Sequence, residues 1–162
     1  MKLLTKIKKL LDDKVTLKGV YNFTIRDAIT GEIKRTYYYE NIVPTVGRQN
    51  IANNMTSASP TSVLLVNKAA LGTGTNTPAN TDTTLQTETY RNDVASRTNA
   101  ANIAYVTAFY SAVEVSGTFR EIGLFAGGTA TANTGVLMSR VAINITKSTS
   151  ETLTVDWTLT IS

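Results

Sequence analysis

The chain has 162 residues, which fits one domain with or without a short extension. It contains no cysteine and no histidine, so disulfides, thiolate chemistry and the commonest general base are excluded. Only 17% of the residues are charged, and the net charge of +4 comes largely from N-terminal lysines, so no basic stripe for nucleic acid is expected on the folded domain.

The first 14 residues predict a short amphipathic helix, with apolar side chains at helical spacing on one face and lysines on the other. Lysines interrupt every apolar run, so neither a secretory signal nor the ~20 apolar residues of a membrane span is expected. A helix this short is marginal alone in water. It is therefore expected to dock on its own domain, on a neighbouring subunit or on a lipid surface. The apolar residues are Leu3, Leu4, Ile7, Leu10 and Leu11.

Residues 15–43 predict a β-hairpin whose turn runs from Asp27 to Glu32, with Gly31 suited to a positive φ. The return strand contains three consecutive tyrosines, which cannot all face one way because strand side chains alternate. At least one is expected to face solvent or an interface, and packing or subunit contact is favoured over a platform for sugar or nucleic acid. These residues are Tyr37, Tyr38 and Tyr39.

A short helix is predicted at residues 47–55 and a buried strand at 63–71. The glycine-rich loop that follows lacks the third glycine and the helix of a dinucleotide fingerprint, so no nucleotide site is expected. Asp82 or Thr83 is predicted to cap a short helical turn that runs through Tyr90.

The second half of the chain predicts strands at 103–110, 119–125 and 136–145, and the clearest strand lies at the end. There, apolar residues from Leu153 to Ile161 alternate with threonines and one aspartate, as in a half-buried antiparallel strand. The sequence thus predicts an all-β, antiparallel sandwich or jelly-roll domain over residues 15–162, with one or two short inserted helices. Residues 1–14 form the separate docking helix of this prediction.

No catalytic constellation is evident, because the chain has neither a nucleophile motif nor a calcium loop. No enzyme activity, metal or cofactor is expected. One carboxylate, Glu121, lies in an apolar run, where an unpaired charge is costly. We predict an ion pair with Arg91, with Arg140 as the second candidate; the alternative is that Glu121 faces solvent.

The middle and C-terminal part of the chain resembles the N-terminal domain of phage tail-collar fibre proteins and related small phage virion proteins. The resemblance rests on an ordered set of short segments across residues 63–161. It implies a virion component without a cofactor, in which Glu88, Arg91 and Glu121 are structural. The segments are Ala70-Leu71-Gly72-Thr73-Gly74, Pro78, Asp82-Thr83, Leu85, Glu88, Tyr90-Arg91, Gly117, Arg120-Glu121-Ile122-Gly123-Leu124-Phe125 and Leu153 to Val155.

In those fibres the module begins a long chain, whereas this sequence stops at Ser162. We therefore expect a tail, collar or baseplate component or a fibre-attachment adaptor that is assembled into the virion in the host cytoplasm. Its partners would be other virion proteins and copies of itself, with no nucleic acid or membrane. The alternatives are a capsid decoration protein and a carbohydrate-binding module. The expected contacts are the N-terminal helix first and the tyrosine strand second.

Overall fold

The computed structural model describes residues 15–59 and 63–162, so the predicted docking helix and its residues Leu3, Leu4, Ile7, Leu10 and Leu11 lie outside the described part. Within that part, eight strands and one helix follow one another. In chain order they are β1 Leu17–Asp27, β2 Ile33–Asn41, α1 Thr45–Thr56, β3 Val66–Gly72, β4 Glu88–Ala100, β5 Ile103–Tyr110, β6 Gly117–Ala126, β7 Val136–Lys147 and β8 Glu151–Ile161.

The strands form one antiparallel sheet in the order β2-β1-β8-β5-β4-β3-β6-β7. The sheet curls until its edge strands meet where Ile42 and Arg140 exchange backbone hydrogen bonds of 3.1 and 3.2 Å. The predicted antiparallel all-β fold is confirmed. A sandwich or jelly roll is not confirmed, since one nearly closed sheet surrounds the core. Sandwiches and barrels share the same alternation along each strand, so sequence periodicity does not separate them.

The predicted hairpin is present as β1 and β2, and its turn is built by one aspartate. The Oδ1 atom of Asp27 accepts hydrogen bonds from the backbone N–H groups of Ile29 and Thr30 at 2.9 and 3.0 Å. Gly31 follows with φ +73°, the left-handed conformation that the sequence predicted for it.

Strand β8 lies between β1 and β5 and supplies the centre of the core. Leu153, Val155 and Trp157 are almost fully buried, while Ile161, at the end of the strand, is 43% exposed. The Trp157 indole N–H donates to Asn41 Oδ1 at 3.0 Å, so this amphipathic side chain is both packed and hydrogen bonded.

Helix α1 packs against the start of β7, where Gly47 lies against Leu137 and Met138. The helix predicted at 47–55 is thereby confirmed. The helical turn predicted from Asp82 to Tyr90 is wrong, because this stretch consists of bends followed by β4. Instead of capping a helix, the Asp82 carboxylate pairs with the buried guanidinium of Arg140.

Candidate assembly surface

The outward side chains of β1, β8 and β5 form a continuous surface that is rich in threonine. Strands β1 and β5 flank β8, and residues in direct register on neighbouring strands point to the same side of the sheet. We call this surface the threonine face. It consists of Lys18, Val20, Asn22, Thr24, Arg26, Ile103, Tyr105, Thr107, Phe109, Thr152, Thr154, Asp156, Thr158 and Thr160.

Three residues of the threonine face are charged: Lys18 and Arg26 lie toward the two ends of β1, and near the centre of the face lies Asp156. Its Oδ1 atom accepts a hydrogen bond from the Thr107 hydroxyl at 2.7 Å. Lys18 pairs with Glu40 of β2 at 2.9 Å, and both side chains are largely exposed. The centre of the face, with one charge, loses less solvation when a neighbouring protein covers it than a densely charged surface would.

The three tyrosines of β2 divide between the two sides of the sheet, as the alternation rule predicts. Tyr37 and Tyr39 are partly buried and pack on the core, where Tyr39 meets Phe23 edge to face at 5.7 Å between ring centroids. Tyr38 is 58% exposed and lies in register with Asn22, which extends the threonine face onto β2. Only Tyr38 therefore remains available for contact in the way expected for the tyrosine strand.

The predicted Arg91–Glu121 pair is wrong, because Glu121 pairs with the second candidate, Arg140. The two are joined at 2.7 Å between Nη2 and Oε2, and both side chains are almost fully buried. Strand register explains why Glu121 binds Arg140. Glu121 lies opposite Ala142 in the β6–β7 ladder, and Arg140, two residues before Ala142, points to the same side of the sheet. The alternative that Glu121 faces solvent is also wrong, since its exposed fraction is 0%.

The Glu121 carboxylate also holds the loop between β3 and β4. Its oxygens accept hydrogen bonds from the backbone N–H groups of Gly74, Gln86 and Thr87 at 3.1, 3.0 and 2.7 Å. Arg140 continues the network to the side chains of Asp82 and Asn76. Several residues that carry the family resemblance thus meet in one buried cluster.

Arg91 forms a second buried pair, with Glu88, at 2.6 Å between Nε and Oε1. Its Nη1 group donates to the carbonyl oxygens of Thr129 and Thr134, and its guanidinium stacks 4.7 Å from the Phe125 ring centroid. This pair fastens the loop between β6 and β7. Glu88, Arg91 and Glu121 are thus all engaged in buried ion pairs.

Lys147 is the remaining buried amine among the described residues, with an exposed fraction of 1%. Burial lowers the pKa of its ammonium group. Its Nζ atom donates to the carbonyl oxygens of Ala112, Val115 and Ser148 at 3.2, 2.7 and 3.3 Å. All three donors are used by the backbone, so this amine holds the β5–β6 connection and is not presented to a substrate.

The described residues contain no group of three or more carboxylates that could hold a metal ion. In the same part of the chain, no helix is long and apolar enough to cross a membrane.

Sequence reasoning identified the threonines of β8 but not the surface that they form with β1 and β5. The partners lie more than 40 residues away in sequence, and only the register of the ladders brings them together. The signal available in the sequence was the Thr/Asp face of residues 152–160. Comparison with known proteins adds no relative: no family model, curated protein or solved structure matches this chain.

Proposed function

We propose that this chain is a structural protein of a tailed bacteriophage virion, acting by protein–protein assembly as a tail, collar, baseplate or fibre-attachment adaptor. The observation that carries the proposal is the threonine face, a wide surface with Asp156 near its centre and its other charges, Lys18 and Arg26, toward its ends. The ordered motif set that resembles phage tail-collar modules supports the same conclusion. Three of its charged members, Glu88, Arg91 and Glu121, are occupied in buried structural pairs, which leaves the outer sheet surface for contact.

The threonine face meets the physical requirements of an assembly contact. Tyr105 and Phe109 supply aromatic area, and the half-buried threonines between them supply methyl groups and hydroxyls without a net charge. A neighbouring subunit of similar composition can cover such a surface, and in a homo-oligomer the contacts repeat by symmetry.

The proposal is tested by introducing positive charges on the threonine face. Replacing Thr154 and Thr158 with Lys puts two ammonium groups at its centre, while their long side chains let the charges remain in water in the free protein. We expect the variant to fold but to enter virions at least about tenfold less efficiently, because the charges must be desolvated in the assembled particle. Incorporation is measured by quantitative immunoblotting of purified particles.

A matched control places the same two charges elsewhere. Ala142 and Asn144 are exposed outward positions of β7, away from the threonine face. The A142K/N144K variant is expected to be incorporated like the unmodified chain. If T154K/T158K enters particles as well as this control does, the threonine face is not the assembly surface.

A capsid decoration protein would use the same kind of surface, so the two virion functions differ by location. Immunogold labelling of particles from the organism that encodes the chain separates them. Label at the tail, collar or baseplate supports the adaptor, and label spread over the head supports decoration. Particles without label would contradict both.

A carbohydrate-binding module is favoured by one observation, a hollow of about 360 Å³ beside Tyr38. Asn22, Thr24 and Thr36 line it with polar groups. A glycan array tests this function: a signal that is lost in the Tyr38→Ala variant would support it, and the absence of any signal would remove it.

A further inference from the structure

Strand β4 continues past the strand beside it, and its last residues border an apolar hollow of about 300 Å³. β3 pairs with β4 only between Glu88 and Asp93, so the rest of β4 extends beyond β3. The hollow is lined by Ile51 of α1, by Leu64 and Leu65 before β3, and by residues of β4, β5 and β8. It therefore borders the part of β4 that β3 does not cover.

The walls of the hollow are aliphatic and partly open to water. Leu64, Leu65 and Ile161 are 40%, 57% and 43% exposed. Exposed apolar surface in a concave site is typical of a ligand pocket, in which a few polar groups fix the orientation of the ligand. A methylene group fills about the space of a water molecule, ~30 Å³, so the hollow accommodates a chain of about ten carbons.

The one charged residue among those that line the hollow is Arg97. Arg97 lies in register with Val106 of β5, and Val106 lies in register with Trp157 of β8, so all three point to the core side of the sheet. The Arg97 Nη1 group donates to the carbonyl oxygen of Val66 at 3.2 Å, which holds the guanidinium against the wall. A positive charge is thereby placed beside aliphatic side chains.

Within the described residues, no carboxylate pairs with Arg97. The ion pairs there join Arg91 to Glu88 and Arg140 to Glu121 but leave Arg97 out. The Arg97 side chain is exposed, so the N–H donors that do not bind Val66 are open to a ligand. A guanidinium binds a carboxylate through two parallel hydrogen bonds, which favours that head group over a neutral one.

We propose that the hollow binds a medium-chain fatty carboxylate, with its aliphatic chain in the hollow and its carboxylate on the Arg97 guanidinium. The negative head group complements the one charge of the lining, and the chain removes Leu64, Leu65 and Ile161 from water. This inference is independent of the proposed function, which rests on the threonine face.

Isothermal titration calorimetry of the full chain with hexanoate, octanoate, decanoate and dodecanoate at pH 7 tests the site. We expect one-to-one saturation, with a Kd below about 1 mM for decanoate. The Kd should fall by up to about fourfold for each added methylene and stop falling beyond about ten carbons, where the hollow is full. An absence of saturable binding, or a Kd that falls just as steeply from decanoate to dodecanoate, would overturn the proposal.

Two variants locate the binding. Arg97→Gln should weaken octanoate binding at least about tenfold but leave the binding of octanol, which has no carboxylate, nearly unchanged. Arg120→Gln, at an exposed position of β6 outside the hollow, is its control. Leu65→Asp should weaken the binding of both ligands at least about tenfold, because it places a charge in the hollow. Its control is Val113→Asp, at an 89% exposed position outside the hollow.

The lysines of residues 1–14 are the same in all these proteins, so a general attraction for anions does not affect the comparison. The proposal is wrong if Arg97→Gln or Leu65→Asp binds octanoate as tightly as its control does. It is also wrong if Arg97→Gln loses octanol binding as strongly as octanoate binding, because the guanidinium would then not select the head group.

Discussion

Glu121 shows how one buried carboxylate organises distant parts of the chain. A charge with an exposed fraction of 0% is tolerated only when its lone pairs are satisfied, and here three backbone N–H groups and one guanidinium satisfy them. The strands could close without this pair, but the β3–β4 loop would then lose its anchor. The ion pair therefore specifies the position of a loop more than it adds to the stability of the sheet.

Replacing Glu121 with Gln is expected to lower the free energy of unfolding by roughly 3 kcal/mol, because the buried Arg140 guanidinium then keeps only the Asp82 carboxylate to balance its charge. Urea denaturation at pH 7 measures the change. The exposed turn residue Glu32, changed to Gln, is the charge-matched control and should shift stability by less than about 0.5 kcal/mol. A similar small shift for E121Q would show that the buried pair has no such role.

A second carboxylate makes stability depend on acid pH. The Ser148 backbone N–H donates to Glu151 Oε2 at 2.9 Å and Arg35 pairs with it at 2.8 Å; these contacts hold the pKa of Glu151 below its usual value of 4.5. Since the folded pKa is lowered, the stabilisation is present above about pH 4.5 and is lost as the pH falls through the folded value.

We expect the Glu151→Gln variant to be less stable than the unmodified chain at pH 7 but to lose less stability on acidification. Urea midpoints are measured from pH 7 to pH 3 for the variant and for the unmodified chain, and the slope of midpoint against pH is compared. Glu32→Gln is the control. Identical slopes for E151Q and the unmodified chain would contradict the assignment.

At the scale of elements, helix α1 depends on one glycine for its contact with β7. A Cβ atom at Gly47 would lie 2.9 Å from the carbonyl oxygen of Leu137 and 3.2 Å from the Cα atom of Met138. These are backbone atoms, which cannot rotate away. The glycine allows close approach of helix and strand, although it is a poor helix former.

Two effects of opposite sign determine how the Gly47→Ala substitution changes the thermal midpoint. Ala is favoured over Gly in a helix by about 1 kcal/mol, but overpacking against backbone costs typically about 1–3 kcal/mol. We expect the clash to prevail and the thermal midpoint to fall. Gln49→Ala, at an exposed position of the same helix, is the control and should leave the midpoint nearly unchanged. A rise in the midpoint for G47A would mean that the helix moves freely away from β7.

For the whole molecule, the place where the sheet closes on itself is its weakest ladder. The described residues of this seam form one bridge, between Ile42 and Arg140, whereas β8 is bonded along its length to both β1 and β5. Opening the seam breaks fewer contacts than separating the central strands, so it requires less free energy.

Native-state hydrogen exchange is expected to reveal this difference. The amides of Ile42 and Arg140 should exchange at least about tenfold faster than those in the middle of β8, which are released only on global unfolding. Equal protection at both places would show that the barrel opens as a single unit.

The sequence alone determined most of the secondary structure and the buried face, because these follow from local alternation and turn chemistry; the stretch from Asp82 to Tyr90 is the exception. The hairpin with Gly31, the strand at Ile103–Tyr110 and the alternating strand β8 are predicted in this way and confirmed. The tertiary structure decided which elements meet. Closure into one sheet, the Arg140 partner of Glu121 and the extent of the threonine face all depend on strand order and register, which link residues far apart in sequence. Local periodicity carries no information about such pairings, since the same alternation serves either side of a sheet and any neighbour.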